Sequence, residues 1–216
     1  MQAVLASSGE ELAANILRLC LDETQREGVL AADGHLALIT LLHAGPDSNT
    51  TKHAVGALVY LSHHVHASQL PIVQAGAVAP IVALLRTAPT ASNQNVLANA
   101  ALLVANLAQT SAGIIEAFQK ASAIATLVPL LGAASEIAMQ AAGALWNLSC
   151  DVEAKKVVNV AEILEAGAIP PLVALLHGET ARQAAGALRN LAAQAAGTSA
   201  IRSAGGIVPL VALLHA

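Results

Sequence analysis

Three histidines, His63, His64 and His66, stand close enough together to suggest a metal site, and Cys20 and Cys150 are the two thiols of the chain. Neither group reads as a ligand set. His63 and His64 are adjacent, so their side chains diverge on a helix, and no Cys or carboxylate lies nearby in sequence. They read as a polar helix end and loop. The two cysteines lack a Cys-x-x-Cys pattern and sit in apolar helical contexts, which makes them reduced core thiols rather than a disulfide. The sequence holds no Gly-x-Ser-x-Gly nucleophile turn and no Gly-x-x-x-x-Gly-Lys phosphate loop. Glu10–Glu11 and Asp22–Glu23 read as solvated helix ends. No catalytic residue, metal or cofactor is therefore expected, and the chain reads as a non-enzyme. What recurs is a side-chain amide: Asn106, Asn147 and Asn190 are each followed by leucine within an alanine- and leucine-rich run.

Composition narrows the classes. Of the 216 residues 56% are hydrophobic but only 1% aromatic, so the apolar mass is aliphatic and strongly helix-forming. One Trp, one Tyr and one Phe are too few for base-stacking platforms. The formal charge is −4 and the largest basic cluster is Lys155–Lys156, so no nucleic-acid stripe is present. Apolar runs are too short for a bilayer: Ala75–Leu85 ends at Arg86, and Ala166–Leu176 contains Pro170 and Pro171. Met1–Glu11 has no basic residue and makes a poor signal peptide. The expected location is cytoplasmic or nuclear, without secretion or membrane insertion.

The elements that carry the asparagines come from an internal repeat. One string recurs five times, starting at Ala32, Ala75, Ala121, Ala166 and Ala204; its clearest copy is Ala166-Gly-Ala-Ile-Pro-Pro-Leu-Val-Ala-Leu-Leu176. A second string follows each of the first four copies: Ala54–Ser62, Ala100–Ala108, Ala141–Ser149 and Ala184–Ala192. A period of roughly forty residues belongs to helical solenoids. Gly167 can close a helix at positive φ, and Pro170 and Pro171 fit the first turn of the next one, where a missing N–H costs nothing. The two helices then meet at a sharp angle. Leu188 and Leu191 share one face of a third helix, which a single repeat cannot bury alone.

These strings resemble the armadillo repeat, from about residue 10 to the end of the sequence. The resemblance implies an all-α, right-handed superhelical solenoid forming a single array over 1–216: a partial unit at 1–22, repeats at about 23–66, 67–110, 111–150 and 151–195, and an incomplete unit at 196–216. It also implies a protein-interaction scaffold whose third helices line a concave groove for an extended segment of a partner protein. The family uses the Asn position and the residues four and seven before it, which fall on one stripe of a helix. The Asn position holds Tyr60, Asn106, Asn147 and Asn190, and in the partial unit Arg18. Position −7 holds His53, Asn99, Gln140 and Gln183; position −4 holds Gly56, Leu102, Gly143 and Gly186. An amide can donate to and accept from a bound backbone; the bland alternative is that the asparagines brace neighbouring helices. Trp146, one residue before Asn147, is either an exposed anchor or packed on a neighbouring repeat, and Arg189 holds the equivalent place in the next repeat.

Importin-alpha proteins share the asparagines but carry Trp at −4 and acidic groove walls, so a basic localisation signal is not the expected ligand. The style is closer to beta-catenin, the adenomatous polyposis coli protein, and vacuolar or plant armadillo proteins. The alternative function is the substrate-recruiting region of a larger enzyme such as a ubiquitin ligase, and a purely structural spacer is a third. Finally, Ile207, Leu210, Val211, Leu213 and Leu214 have no third helix after them, so a longer native chain, or self-association through this end, is expected.

Overall fold

In the computed structural model the described residues are 2–63, 66–109, 111–151 and 156–215. They form helices joined by short turns, and they divide into two compact units, 1–107 and 108–216. The first unit holds α1 (Gln2–Leu21), α2 (Arg26–Ala31), α3 (Gly34–Leu41), α4 (Asn49–Ser62), α5 (His66–Gln74), α6 (Val78–Leu85) and α7 (Gln94–Leu107). The second holds α8 (Ala112–Lys120), α9 (Ala123–Leu130), α10 (Ser135–Leu148), α11 (Val160–Glu165), α12 (Ile169–Ala174), α13 (Ala181–Leu191), α14 (Ala195–Ser203) and α15 (Ile207–Ala212). His64 and Lys155 lie outside the described residues.

The recurring turn has one backbone solution. Asp33, Gly76, Ser122, Gly167 and Gly205, the second residue of each copy of the first string, all have positive φ, between 58° and 87°. That left-handed residue ends one helix so that the next can leave at a steep angle: α5 and α6 meet at 82°, and α14 meets the helix that follows it at 94°. Glycine takes this conformation freely, whereas Asp33 and Ser122 take it with a Cβ in the way.

The long third helices carry the packing. In the first unit α4 packs between α1 and α7, and α7 also covers α6. In the second, α10 packs on α9 and on α13. Small residues on these faces, among them Ala54, Ala57, Ala100 and Ala101, are fully buried, and this lets the helix axes approach closely. Leu58, Leu61, Leu97 and Leu103 fill the first unit's core; Phe118, Ile124, Leu145 and Leu172 fill the second's.

One segment departs from the expectation of helices alone. Cys150–Asp151 (β1) and Lys156–Val157 (β2) form a two-residue antiparallel pair, with Cys150 opposite Val157. The stretch after α10 lacks helical apolar spacing, and β-branched Val157 and Val158 favour extended backbone. No single helix among the described residues is long and apolar enough to cross a membrane.

Candidate functional site

In the first unit the candidate residues lie on α4 and α7. Tyr60 is exposed, His53 and Asn99 are half-buried, and Gly56 is buried between them in the helix face. The last two turns of α4 and the facing part of α7 enclose a shallow concavity of about 310 Å³ lined by Gly56, Val59, Tyr60, His63, Asn99 and Leu102. Glycine makes the floor: a Cβ at Gly56 stands 4.0 Å from Asn99 Nδ2 and 3.6 Å from Leu17 Cδ1. The Arg26 guanidinium lies 5.7 Å from the centroid of the Tyr60 ring. Arg26 itself is buried and anchored, since its Nε donates to Cys20 O at 2.8 Å and closes the C-terminus of α1. Burial pushes the neighbouring Cys20 thiol up to about 11, with the Arg26 charge partly offsetting it. Cys20 and Cys150 are both free thiols.

In the second unit the candidates lie on α10 and α13. Gln140, Gly143, Trp146 and Asn147 are half-buried on α10; Gln183 is half-buried and Arg189 exposed on α13. Gln140 Nε2 donates to Glu136 Oε1 at 2.8 Å, one turn back on the same helix. Trp146 packs flat on the neighbouring helix. A Cβ built on Gly186 falls 2.4 Å from its Cδ2, so the glycine is what makes room for the ring. The Arg189 guanidinium sits 5.7 Å from the Trp146 ring centroid. Trp146 is thus fixed between two parts of the next third helix, as the packed alternative for this residue requires.

The asparagines need a correction. Asn106 and Asn190 were expected to present their amides to a groove, yet each is only 5% exposed. Asn106 Nδ2 donates to Ser62 Oγ at 3.2 Å and to Val59 O at 3.4 Å. Asn190 Nδ2 donates to Ser149 Oγ at 2.9 Å and to Trp146 O at 3.2 Å. Both therefore brace the C-terminal turn of the preceding third helix, sharing with the serine hydroxyl a carbonyl that this hydroxyl also donates to, Val59 O or Trp146 O. The serine two residues past the Asn position is the other half of the brace, a signal the sequence carried at Ser62 and Ser149 and nowhere else in the series: Ala108 and Ala192 stand at the same place. Asn147 is half-buried and makes interactions of its own.

Of the Asn and −7 positions on these helices, the polar groups left at the surface are then the −7 residues, together with Tyr60 and Asn147. Two of them hold unmet hydrogen-bonding capacity: His53 Nδ1 and Gln183 Oε1 have no partner among the described residues. Buried polar atoms without partners are uncommon in native proteins. Among the described residues no three His, Cys, Asp or Glu side chains come together as a metal site.

A repeated three-helix unit with left-handed turns and Asn–Ser braces defines an α-solenoid repeat protein. Residues 157–193 match the Armadillo/beta-catenin-like repeat. The chain is similar to a designed armadillo repeat protein at 27% identity and TM-score 0.80, covering 100% of this chain and 88% of that one. It is equally similar to a computationally designed armadillo repeat protein for modular peptide recognition, at 26% identity and TM-score 0.80 with the same coverage. A third, a designed armadillo repeat protein in complex with the peptide (KR)4, aligns at 26% identity and TM-score 0.74 over 96% of this chain and 83% of that chain. No curated protein matches the chain. Residues 157–193 thus carry an armadillo repeat, and the fold class is the all-α superhelical solenoid of these armadillo-repeat neighbours.

Proposed function

We propose that the protein is a non-catalytic scaffold that holds an extended segment of a partner protein on the exposed faces of its third helices. The observation that carries this is the concavity on α4 and α7. Its floor is glycine, one wall is the exposed Tyr60 ring, and the Asn99 amide stands at the rim. A glycine floor lets a backbone come close, and an amide donates to or accepts from that backbone without reading its sequence. Gln140 and Gln183 repeat the amide on α10 and α13. The similarity to designed proteins of modular peptide recognition supports the same reading.

One of those designs holds a (KR)4 peptide. The lining of the concavity in this chain includes no carboxylate, so Lys and Arg side chains gain no ion pair there. The segment is held through its backbone and an apolar side chain against Tyr60 and Leu102. The test is selection of peptides from a displayed random library, followed by titration of the selected peptide. Asn99→Ala and Tyr60→Ala should each weaken binding by about five- to tenfold, the loss of one hydrogen bond or one aromatic contact, with the melting temperature nearly unchanged. Selection of no peptide, or binding indifferent to both substitutions, would defeat the proposal.

A further inference from the structure

The concavity between α4 and α7 continues into a cationic edge. Its residues on α4, Gly56, Val59, Tyr60 and His63, follow i, i+3, i+4, i+7 spacing and so share one face of the helix. One turn earlier that face reaches Lys52, about 6 Å along the axis from Gly56. Lys52 is exposed and pairs with no carboxylate among the described residues. On α7 the matching residue, one turn before Asn99, is the exposed and uncharged Asn95. Helix α4 has α1 on one side and α7 on the other, so this face is open with both neighbouring helices in place.

The surroundings are short of acid. The whole chain has a formal charge of −4, yet residues 48–115 contain Lys52 and Arg86 and no Asp or Glu. The carboxylate just before α4, that of Asp47, accepts a hydrogen bond from Ser92 Oγ. Glu10 and Glu11 stand on α1, on the side of α4 away from α7. A second cation lies behind the Tyr60 wall, where the buried Arg26 guanidinium sits 5.7 Å from the ring centroid. Its ion-pair partner Glu23, 3.6 Å away, is exposed and offsets that charge only through water. A Lys or Arg side chain entering here meets two cations and no free carboxylate; an acidic one meets the opposite.

We propose that the segment bound on α4 and α7 is acidic: an apolar side chain enters the concavity, and an Asp or Glu two positions from it pairs with Lys52. This rests on the extended-segment reading and adds the chemistry of the segment to it. In extended backbone, residues two positions apart point the same way and stand about 6.6 Å from each other. That is close to the single helical turn between Gly56 and Lys52, and the flexible four-carbon stem of lysine takes up the difference.

The experiment selects displayed segments with a fixed central leucine and every other position random, once on the protein and once on Lys52→Glu. Lys52 is exposed, so this replacement leaves the core untouched. On the protein, Asp and Glu should be enriched at the positions two residues from the leucine. Exchanging the selected acid for its amide should weaken binding about two- to fivefold, the effect of one exposed ion pair, and the difference should fade as salt is raised. On Lys52→Glu, Lys and Arg should take the same positions; their selection also shows that the variant is folded. Segments that need Tyr60 and Asn99 for binding yet show no acidic preference would overturn this inference and leave the extended-segment reading standing. Acidic enrichment that persists on Lys52→Glu would overturn it as well. Selection of no segment on either protein would overturn both.

Discussion

Gly143 and Gly186 occupy the same place in consecutive third helices, yet alanine should act on them with opposite sign. In a helix interior Gly→Ala gains about 1 kcal/mol from backbone propensity. At Gly143 a Cβ finds Gln183 Cγ at 3.5 Å, an ordinary contact, so Gly143→Ala should stabilise by about 0.5–1 kcal/mol. At Gly186 the Cβ falls 2.4–2.6 Å from three atoms of the Trp146 ring. The ring is packed against α13 and cannot yield without lifting off the helix. Overpacking of this kind costs about 1–3 kcal/mol, and losing the Arg189 contact adds about 0.5–1. After the propensity gain, Gly186→Ala should destabilise by about 0.5–3 kcal/mol. Urea denaturation followed by circular dichroism and by Trp146 fluorescence measures both variants, and the fluorescence of Gly186→Ala should report a ring more exposed to water. The decisive arm is the double variant: with Trp146→Ala already present, Gly186→Ala should become stabilising. If Gly186→Ala stabilises the unmodified protein as much as Gly143→Ala does, the flat packing of Trp146 on α13 is wrong.

Three further outcomes follow from the same geometry. Asn106→Ala and Asn190→Ala should each cost about 1–2 kcal/mol of stability by chemical denaturation, because a buried brace is lost. Serine partners removed as Ser62→Ala or Ser149→Ala should cost less than either. Gly76→Ala should destabilise by about 1 kcal/mol in thermal or urea unfolding although nothing lies within 4 Å of its new Cβ, since φ there is +87° and the left-handed conformation alone is penalised. The Cys20 thiol is raised from 9.0 to about 11, so it stays protonated in the folded protein where the unfolded chain ionises. Stability from this site is present below pH 9 and lost as pH rises towards 11. Cys20→Ala should therefore flatten the alkaline limb of a stability–pH curve, and an identical limb in both proteins would contradict it.

The fold was legible because its punctuation is local. The second residue of each first string marks the left-handed turn, and Pro170 and Pro171 mark the helix start, so both could be read without knowing any tertiary contact. The candidate site was legible only as a set of positions. Helix periodicity put Asn106 and Asn190 on the same stripe as Asn99 and Gln183, but a stripe does not say how deep each member lies. Depth depends on the neighbouring helix, which contributes Val59 O, Ser62, Trp146 O and Ser149 to the amides. The serines at Ser62 and Ser149 could have revealed the braces, had the two-residue offset from the Asn position been followed across repeats. Trp146 illustrates the same limit. Its partner is an absence of side chain at Gly186, forty residues further along. The strand pair at Cys150 and Val157 was illegible because two residues per strand leave no periodicity to read.

The central claim, that the −7 amides rather than the buried Asn106 and Asn190 hold a partner's backbone, is tested most directly by side-chain amide resonances in ¹⁵N-labelled protein. On titration with a peptide selected from a random library, the Asn99, Gln140 and Gln183 amide signals should move with ligand concentration, while those of Asn106 and Asn190 stay where they are. Shifts confined to Asn106 and Asn190, or saturable binding that leaves Asn99, Gln140 and Gln183 unmoved, would contradict the account.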